Sequence, residues 1–520
     1  MGNRAVRAWY NISTGMLYKI LMLALSFAVR TVFTWTLGLE YLGLNSLFTA
    51  VLNVLNLAEL GFAGALVVSM YEPFAKHEVG KVNALLRIYK IAYRIIGTII
   101  IVVGVGITPL IPSLISGSYP REIDLSLVYW INLGGVAVGY FAFAYKSCLL
   151  TVAQRNDIGN IVHIALMLVQ YLVQFIFLFV FKSYYLYIIV LPVINLLYNL
   201  ITAYIATKMY PEYLCVGKVS KDELKDIKKK IIGLALNKVS YSLCNGLDSI
   251  IISMFIGLIA LGKYNLYYYI YAAINAILFA AISSVTSTVG NSMALVSADS
   301  NRLAFEKIDF VWRWVLVVIS ACLISTYQPF IELWQGSNAL FDDMTMTVFC
   351  IYFYVQHCIM PVQLYKDAAG LWWEDRWRVL LEGLFNLAIN LLLVRTFGII
   401  GVLLSTILTM LVVSLPWQSQ VLFRHYFHTS LGRYVLAQAR GFALAIVMCA
   451  VTFYLSELLF SSLLLFPAFI CKALFSFVFS NVALYCVYKN NPSFLEAKHF
   501  VINVINSVGN QHIKTGSSSH

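Results

Sequence analysis

The chain has 520 residues, 61% of them hydrophobic and 12% charged, with a net charge of +12 and a mean hydropathy of +0.81. That balance excludes an ordinary soluble domain, in which roughly a quarter of residues are charged. Apolar runs of about 20 residues, enough to cross a hydrocarbon core of ~30 Å as helices, recur from end to end, without the short alternating segments of a β-barrel.

In chain order these runs predict an all-α integral membrane protein with fourteen transmembrane helices, at 16–38, 45–71, 91–115, 126–150, 159–181, 185–207, 231–257, 266–292, 309–333, 346–368, 379–395, 399–420, 441–459 and 465–488. The first run is too long for a cleaved signal peptide, carries Arg30, and is followed at once by another span. Loop charge sets the direction, because Lys and Arg are retained on the cytoplasmic side. With the N-terminus inside, the outer connections hold only Arg121, Lys182, Lys263 and Arg395, whereas the inner segment 208–230 holds seven lysines. The expected orientation is N-in and C-in, and the positive charge reflects topology and anionic lipid rather than nucleic acid. All outer loops are short, so no extramembrane catalytic domain and no enzyme is expected. The nine cysteines contain no C-x-x-C pair, and His425 and His428 are the nearest approach to a ligand pair. Neither disulfides nor a metal site is expected.

The chain also repeats itself. "GLEYLGLNSLF" from Gly38 returns as "GLIALGKYNLYY" from Gly257. "PLIPSLISGS" from Pro109 returns as "PFIELWQGS" from Pro329, and "YKS" at Tyr145 as "YKD" at Tyr365, so that Lys146 matches Lys366. The offset is 219 to 220 residues each time, and scarce Pro, Gly and Lys coincide in order. Two parallel, pseudo-symmetric six-helix lobes follow, 1–207 and 231–420, joined by a basic cytoplasmic linker at 208–230. Segment 421–488 adds a loop and two C-terminal helices; 489–520 is a cytoplasmic tail whose "KTGSSSH" reads as a tag remnant.

Ionisable residues inside spans cost about 2.5–3.5 kcal/mol each, so they face protein or water and mark function by default. Here they are Arg30, Glu59, Lys146, Lys238, Asp248, Arg313 and Lys472. Polar rows accompany them at helical spacing: Ser26, Arg30 and Thr34; Thr49, Asn53, Asn56 and Glu59; Asn237, Tyr241, Asn245 and Asp248; Tyr267, Tyr271 and Asn275. These rows lie on the first two helices of each lobe. They read either as walls of a hydrated cavity shared by the lobes or as interhelical hydrogen bonding. Arg30 reads as an anion site or as a structural partner of Glu59 or Asp248. Lys146 and Lys366, near inner helix ends, and Arg313 read most simply as snorkelling cations. His163 and His357 read as packed neutral residues, and Gln170 and Gln174 as interhelical hydrogen bonds.

The phrases "LNLAELGFAGALVVSMYEPFAKHE", "YKSCLLTVAQRND" and "LYKDAAGLWWEDRWRVLLEGLFNLAINLLLVRTFGIIGVLLSTI", with those above, resemble the Wzx-type polysaccharide flippases of the multidrug/oligosaccharidyl-lipid/polysaccharide exporter superfamily. The resemblance implies translocation of an undecaprenyl-pyrophosphate-linked oligosaccharide from the inner to the outer leaflet of a bacterial cell membrane by alternating access. It implies Arg30 and Lys238 as phosphate contacts, Asn53, Asn56, Asn245 and Tyr271 as sugar contacts, and Glu59 and Asp248 as ion-coupling sites. Lys146 and Lys366 would be inner-face bases, and Lys472 a surface phosphate contact. No cofactor is expected beyond coupling to Na+, H+ or the membrane potential; polysaccharide polymerase and chain-length proteins are the implied partners. A cation-coupled multidrug exporter of the same superfamily is the alternative, and a membrane glycosyltransferase or polymerase a third reading.

Overall fold

The computed structural model describes residues 2–56, 62–220, 225, 246–492 and 494–496. Among these the chain forms helices and turns and no strand. Ten helices are long and apolar enough to cross a membrane, or eleven when one pair bent by 53° counts as a single span. The chain is therefore a multi-pass membrane protein. Of the expected site residues, Glu59, Lys238 and Asn245 lie outside the described residues.

The described chain separates into two compact units, one gathering 1–266 and 390–399, the other 267–389 and 400–520. The first unit holds α1 (Gly2–Leu37), α2 (Leu39–Leu55), α3 (Phe62–Ala75), α4 (Val79–Ile107), α5 (Leu125–Phe141), α6 (Ala144–Val152), α7 (Asn156–Ile176), α8 (Tyr184–Met209) and α9 (Gly246–Phe255). It also holds the start of α10 (Leu258–Ser284). The second unit holds the rest of α10 with α11 (Thr286–Leu295), α12 (Ala298–Gln335), α13 (Asp343–Cys358) and α14 (Met360–Ala368). α15 (Trp372–Thr409) contributes to both units, and α16 (Leu415–Leu422), α17 (Gly432–Phe460) and α18 (Leu465–Tyr488) complete the second.

Several expected spans are broken where the backbone leaves helical geometry. Of the run 45–71, the described residues form α2 and α3, of 17 and 14 residues. The run 126–150 bends between α5 and α6, where Phe143 takes a left-handed φ of 59°. The runs 379–395 and 399–420 form one apolar stretch, Trp372–Phe427, interrupted by Gly398 at φ 56° and ψ −131°.

The breaks themselves recur. Positive φ falls at Gly38 and Gly257, Gly117 and Gly336, Gln154 and Gly370, and Lys182 and Gly398. The caps recur as well. Asp124 opens α5 by accepting the Ser126 and Leu127 amides at 2.9 and 3.1 Å, and Asp342 opens α13 by accepting the Thr345 amide at 3.0 Å. Such side-chain acceptors satisfy amides that a helix start leaves unpaired.

The repeated phrase meets its own copy inside the first unit. A Cβ on Gly43 would fall on the carbonyl of Leu258, and a Cβ on Gly262 on the carbonyl of Leu39. Leu39 and Leu258 hold the same place in the phrase, so the contact is reciprocal. Glycine at both points lets the two backbones approach more closely than any side chain permits. Beside it, the Ser116 amide donates to the Ser253 carbonyl at 2.8 Å.

Candidate functional site

α2 is enclosed along most of its surface, with Leu44, Leu47 and Phe48 fully buried. The residues left open beyond its first turn are Thr49 and Asn53, with Asn45 and Asn56 half-buried. Steps of four, four and three keep these polar residues on one helix face. The outer helices do the opposite: α4 exposes Ile91, Ile95, Ile99 and Val102, and α7 exposes Leu168, Val169 and Leu172. A membrane helix whose open face is polar looks onto water, because hydrocarbon offers those amides no partner. Asn56, at the end of the stripe, accepts the Tyr140 hydroxyl at 3.1 Å.

Arg30 sits half-buried on α1 and donates through Nη1 to Asn265 Oδ1. Asn265 follows Gly262 by three residues and shares its face of α10, so the close approach at Gly262 carries the amide inward. Thr34 returns its hydroxyl to the Arg30 carbonyl at 2.8 Å. Arg30 therefore meets the amide of Asn265, which orients the guanidinium.

Asp248, buried on α9, accepts from Asn390 Nδ2 at 2.7 Å rather than from Arg30. The Oδ1 of Asn390 is buried with no hydrogen-bond partner among the described residues. One turn before it on α15, Asn386 donates to Thr406 at 3.1 Å. A carboxylate beside a spare carbonyl oxygen is the chemistry that takes up a small cation or a proton. No group of three or more His, Cys, Asp or Glu able to hold a metal is present among the described residues.

Other expected residues are placed differently. Tyr271 is enclosed by Tyr352, Phe353 and His357, and Tyr267 stacks on Tyr327 while donating to Gln328. That face of α10 packs into the second unit's aromatic core, so its row is interhelical bonding. His357 is likewise buried, between the Phe353 carbonyl at 2.7 Å and Asn275 at 3.1 Å. Lys146 donates to Thr207 at 2.7 Å. Lys366 is buried, not free at a surface: it pairs with Asp375 at 2.5 Å, and Arg378 binds the same carboxylate at 2.8 Å. Lys472, expected at the surface, is buried and pairs with Glu457.

The sequence reading passed over Asn265, Asn386 and Asn390. The signal for the last two was present, as carboxamides four residues apart in an otherwise apolar run.

No family model and no curated protein matches the chain, but solved structures do. The lipid II flippase MurJ in an inward closed conformation superposes with a TM-score of 0.64 at 13% identity, over 91% of this chain and 98% of that one. An inward-facing multidrug resistance MATE family transporter of the MOP superfamily gives 0.61 at 12% identity, over 78% and 94%. A mutant of the Vibrio cholerae MATE transporter VcmN gives 0.52 at 13% identity, over 82% and 100%. The chain has the fold of these membrane transporters and flippases; none of them is an enzyme by its description.

Proposed function

We propose that the chain is a Wzx-type flippase of the multidrug/oligosaccharidyl-lipid/polysaccharide exporter superfamily. It moves an undecaprenyl-pyrophosphate-linked oligosaccharide from the inner to the outer leaflet of a bacterial cell membrane by alternating access. The observation that carries this reading is the polar stripe of α2 together with the amide-oriented guanidinium of Arg30, both in the first unit. An anionic diphosphate is drawn to a cation more strongly in a low-dielectric surround than in water. Asn45, Thr49 and Asn53 offer donors and acceptors to sugar hydroxyls without committing to one glycan. From sequence, Lys238 joins Arg30 as a phosphate contact, Asn245 joins the sugar contacts and Glu59 joins the coupling site, and the fold shared with a lipid II flippase is in keeping with this. Asp248 with Asn390 is the assigned coupling site, with protonation or cation occupancy shifting the conformational equilibrium.

At matched expression, Arg30→Ala is expected to lower surface polysaccharide at least tenfold, with Arg30→Lys retaining part of the export. Export at the wild-type level in Arg30→Ala sinks the reading. A cation-coupled multidrug exporter is the second reading, favoured by the buried Asp248–Asn390 pair. Drug efflux lost in Asp248→Asn while polysaccharide stays normal would select it.

A further inference from the structure

One cavity in the second unit lies apart from the residues assigned to transport. It measures about 500 Å³ and is walled by α12, the 429–433 connection and the start of α17. α12 has 38 residues, about 57 Å at 1.5 Å per residue, well beyond a hydrocarbon core of ~30 Å. Its apolar stretch begins near Phe310, so the charged turns from Asp299 to Asp309 fall at the membrane surface.

The floor is settled. Asp309 accepts Gln438 Nε2 at 2.9 Å and Arg313 Nε at 3.0 Å, and Arg313 also donates to the Ala437 carbonyl at 2.7 Å. The rim is not. Arg302 is paired with Glu306 at 2.6 Å, yet its Nε is buried with no partner among the described residues. Lys307 has Glu496 at 3.5 Å, a carboxylate 59% exposed and weakly held. Arg433 is exposed and makes no hydrogen bond or ion pair among the described residues. Arg302, Lys307 and Arg433 all line this cavity, and the Arg433 guanidinium keeps its donors free among the described residues. A tetrahedral oxyanion fits that set, because its oxygens take several donors at once and guanidinium forks bind them in pairs.

We propose that this cavity binds a phosphate-bearing group, held by Arg302, Lys307 and Arg433, at a site separate from Arg30. Either a phospholipid headgroup or free phosphate supplies that chemistry. The test uses the full chain in detergent, with native mass spectrometry counting bound phosphatidylglycerol, and inorganic phosphate as competitor. Wild type is expected to retain the lipid at least tenfold more tightly than Arg433→Ala and Arg302→Ala/Arg433→Ala, with Arg30→Ala unaffected. Retention that phosphate does not displace assigns the lipid headgroup; displacement by millimolar phosphate assigns the free anion. Arg433 is exposed, so its single variant is expected to unfold at the wild-type temperature. Equal retention by wild type and both variants overturns the proposal, whatever becomes of the flippase reading.

Discussion

α4 and α12 begin at Val79 and Ala298, 219 residues apart like the repeated phrases, and each carries cations near its start. On α4, Arg87 and Arg94 are exposed, Arg87 donates to the Gly217 carbonyl at 2.9 Å, and Lys90 lies 5.8 Å from the Tyr145 ring. On α12 the position of Lys90 is taken by Asp309, and that of Arg94 by Arg313. α17 and α18 pack against α12, and 61% of its most apolar stretch is buried, against 28% for α4. A cation left at the surface needs no partner, whereas a covered one needs an acid and a hydrogen-bonded shell. Packing by α17 and α18 thus goes with a walled, partly neutralised row on α12 where α4 has an open basic one.

The sharpest way to break that contrast is to remove the acid. Asp309→Ala is expected to cost about 3–5 kcal/mol, because the half-buried Arg313 would be left without its buried carboxylate partner. Lys90→Ala on α4 is expected to change stability by no more than about 0.5 kcal/mol. Thermal unfolding of both variants in detergent decides it, and equal losses would show that burial by α17 and α18 is not what demands the acid.

Where the copies meet, they should instead behave alike. Gly43→Val and Gly262→Val each place a side chain against the other copy's carbonyl and are expected to cost about 1–3 kcal/mol apiece. A large loss in one and none in the other would mean that the crossing is not reciprocal.

The smallest effect is at the caps. Asp124→Ala and Asp342→Ala are each expected to cost about 1 kcal/mol. The Thr345 hydroxyl and amide hold the Asp342 carboxyl below its ordinary range. Its contribution is therefore complete above the unfolded-state value of about 3.9 and fades as pH falls through the lower folded value. The gap between wild type and Asp342→Ala in unfolding temperature should close in strong acid and persist at neutrality.

The membrane class and the repeated phrase were legible because they rest on composition and on scarce residues, Gly38 and Gly257 above all. The helix break at Phe143 was not, since neither glycine nor proline marks it. Arg30 and Asp248 were legible as buried charges, but their partners were not. Asn265 and Asn390 come from helices distant in sequence, and periodicity on one helix says nothing about which other helix faces it. The fates of Lys366 and Lys472 were hidden for the same reason: Asp375 and Glu457 stand on a following or preceding helix.

The crossing of Gly43 and Gly262 also explains why a phrase outlived the similarity around it. At this point each copy of the phrase packs on the other's backbone within the first unit, so a bulky substitution in either meets an unyielding carbonyl opposite. Inheritance there is mutual, and neither half was at liberty to forget the words.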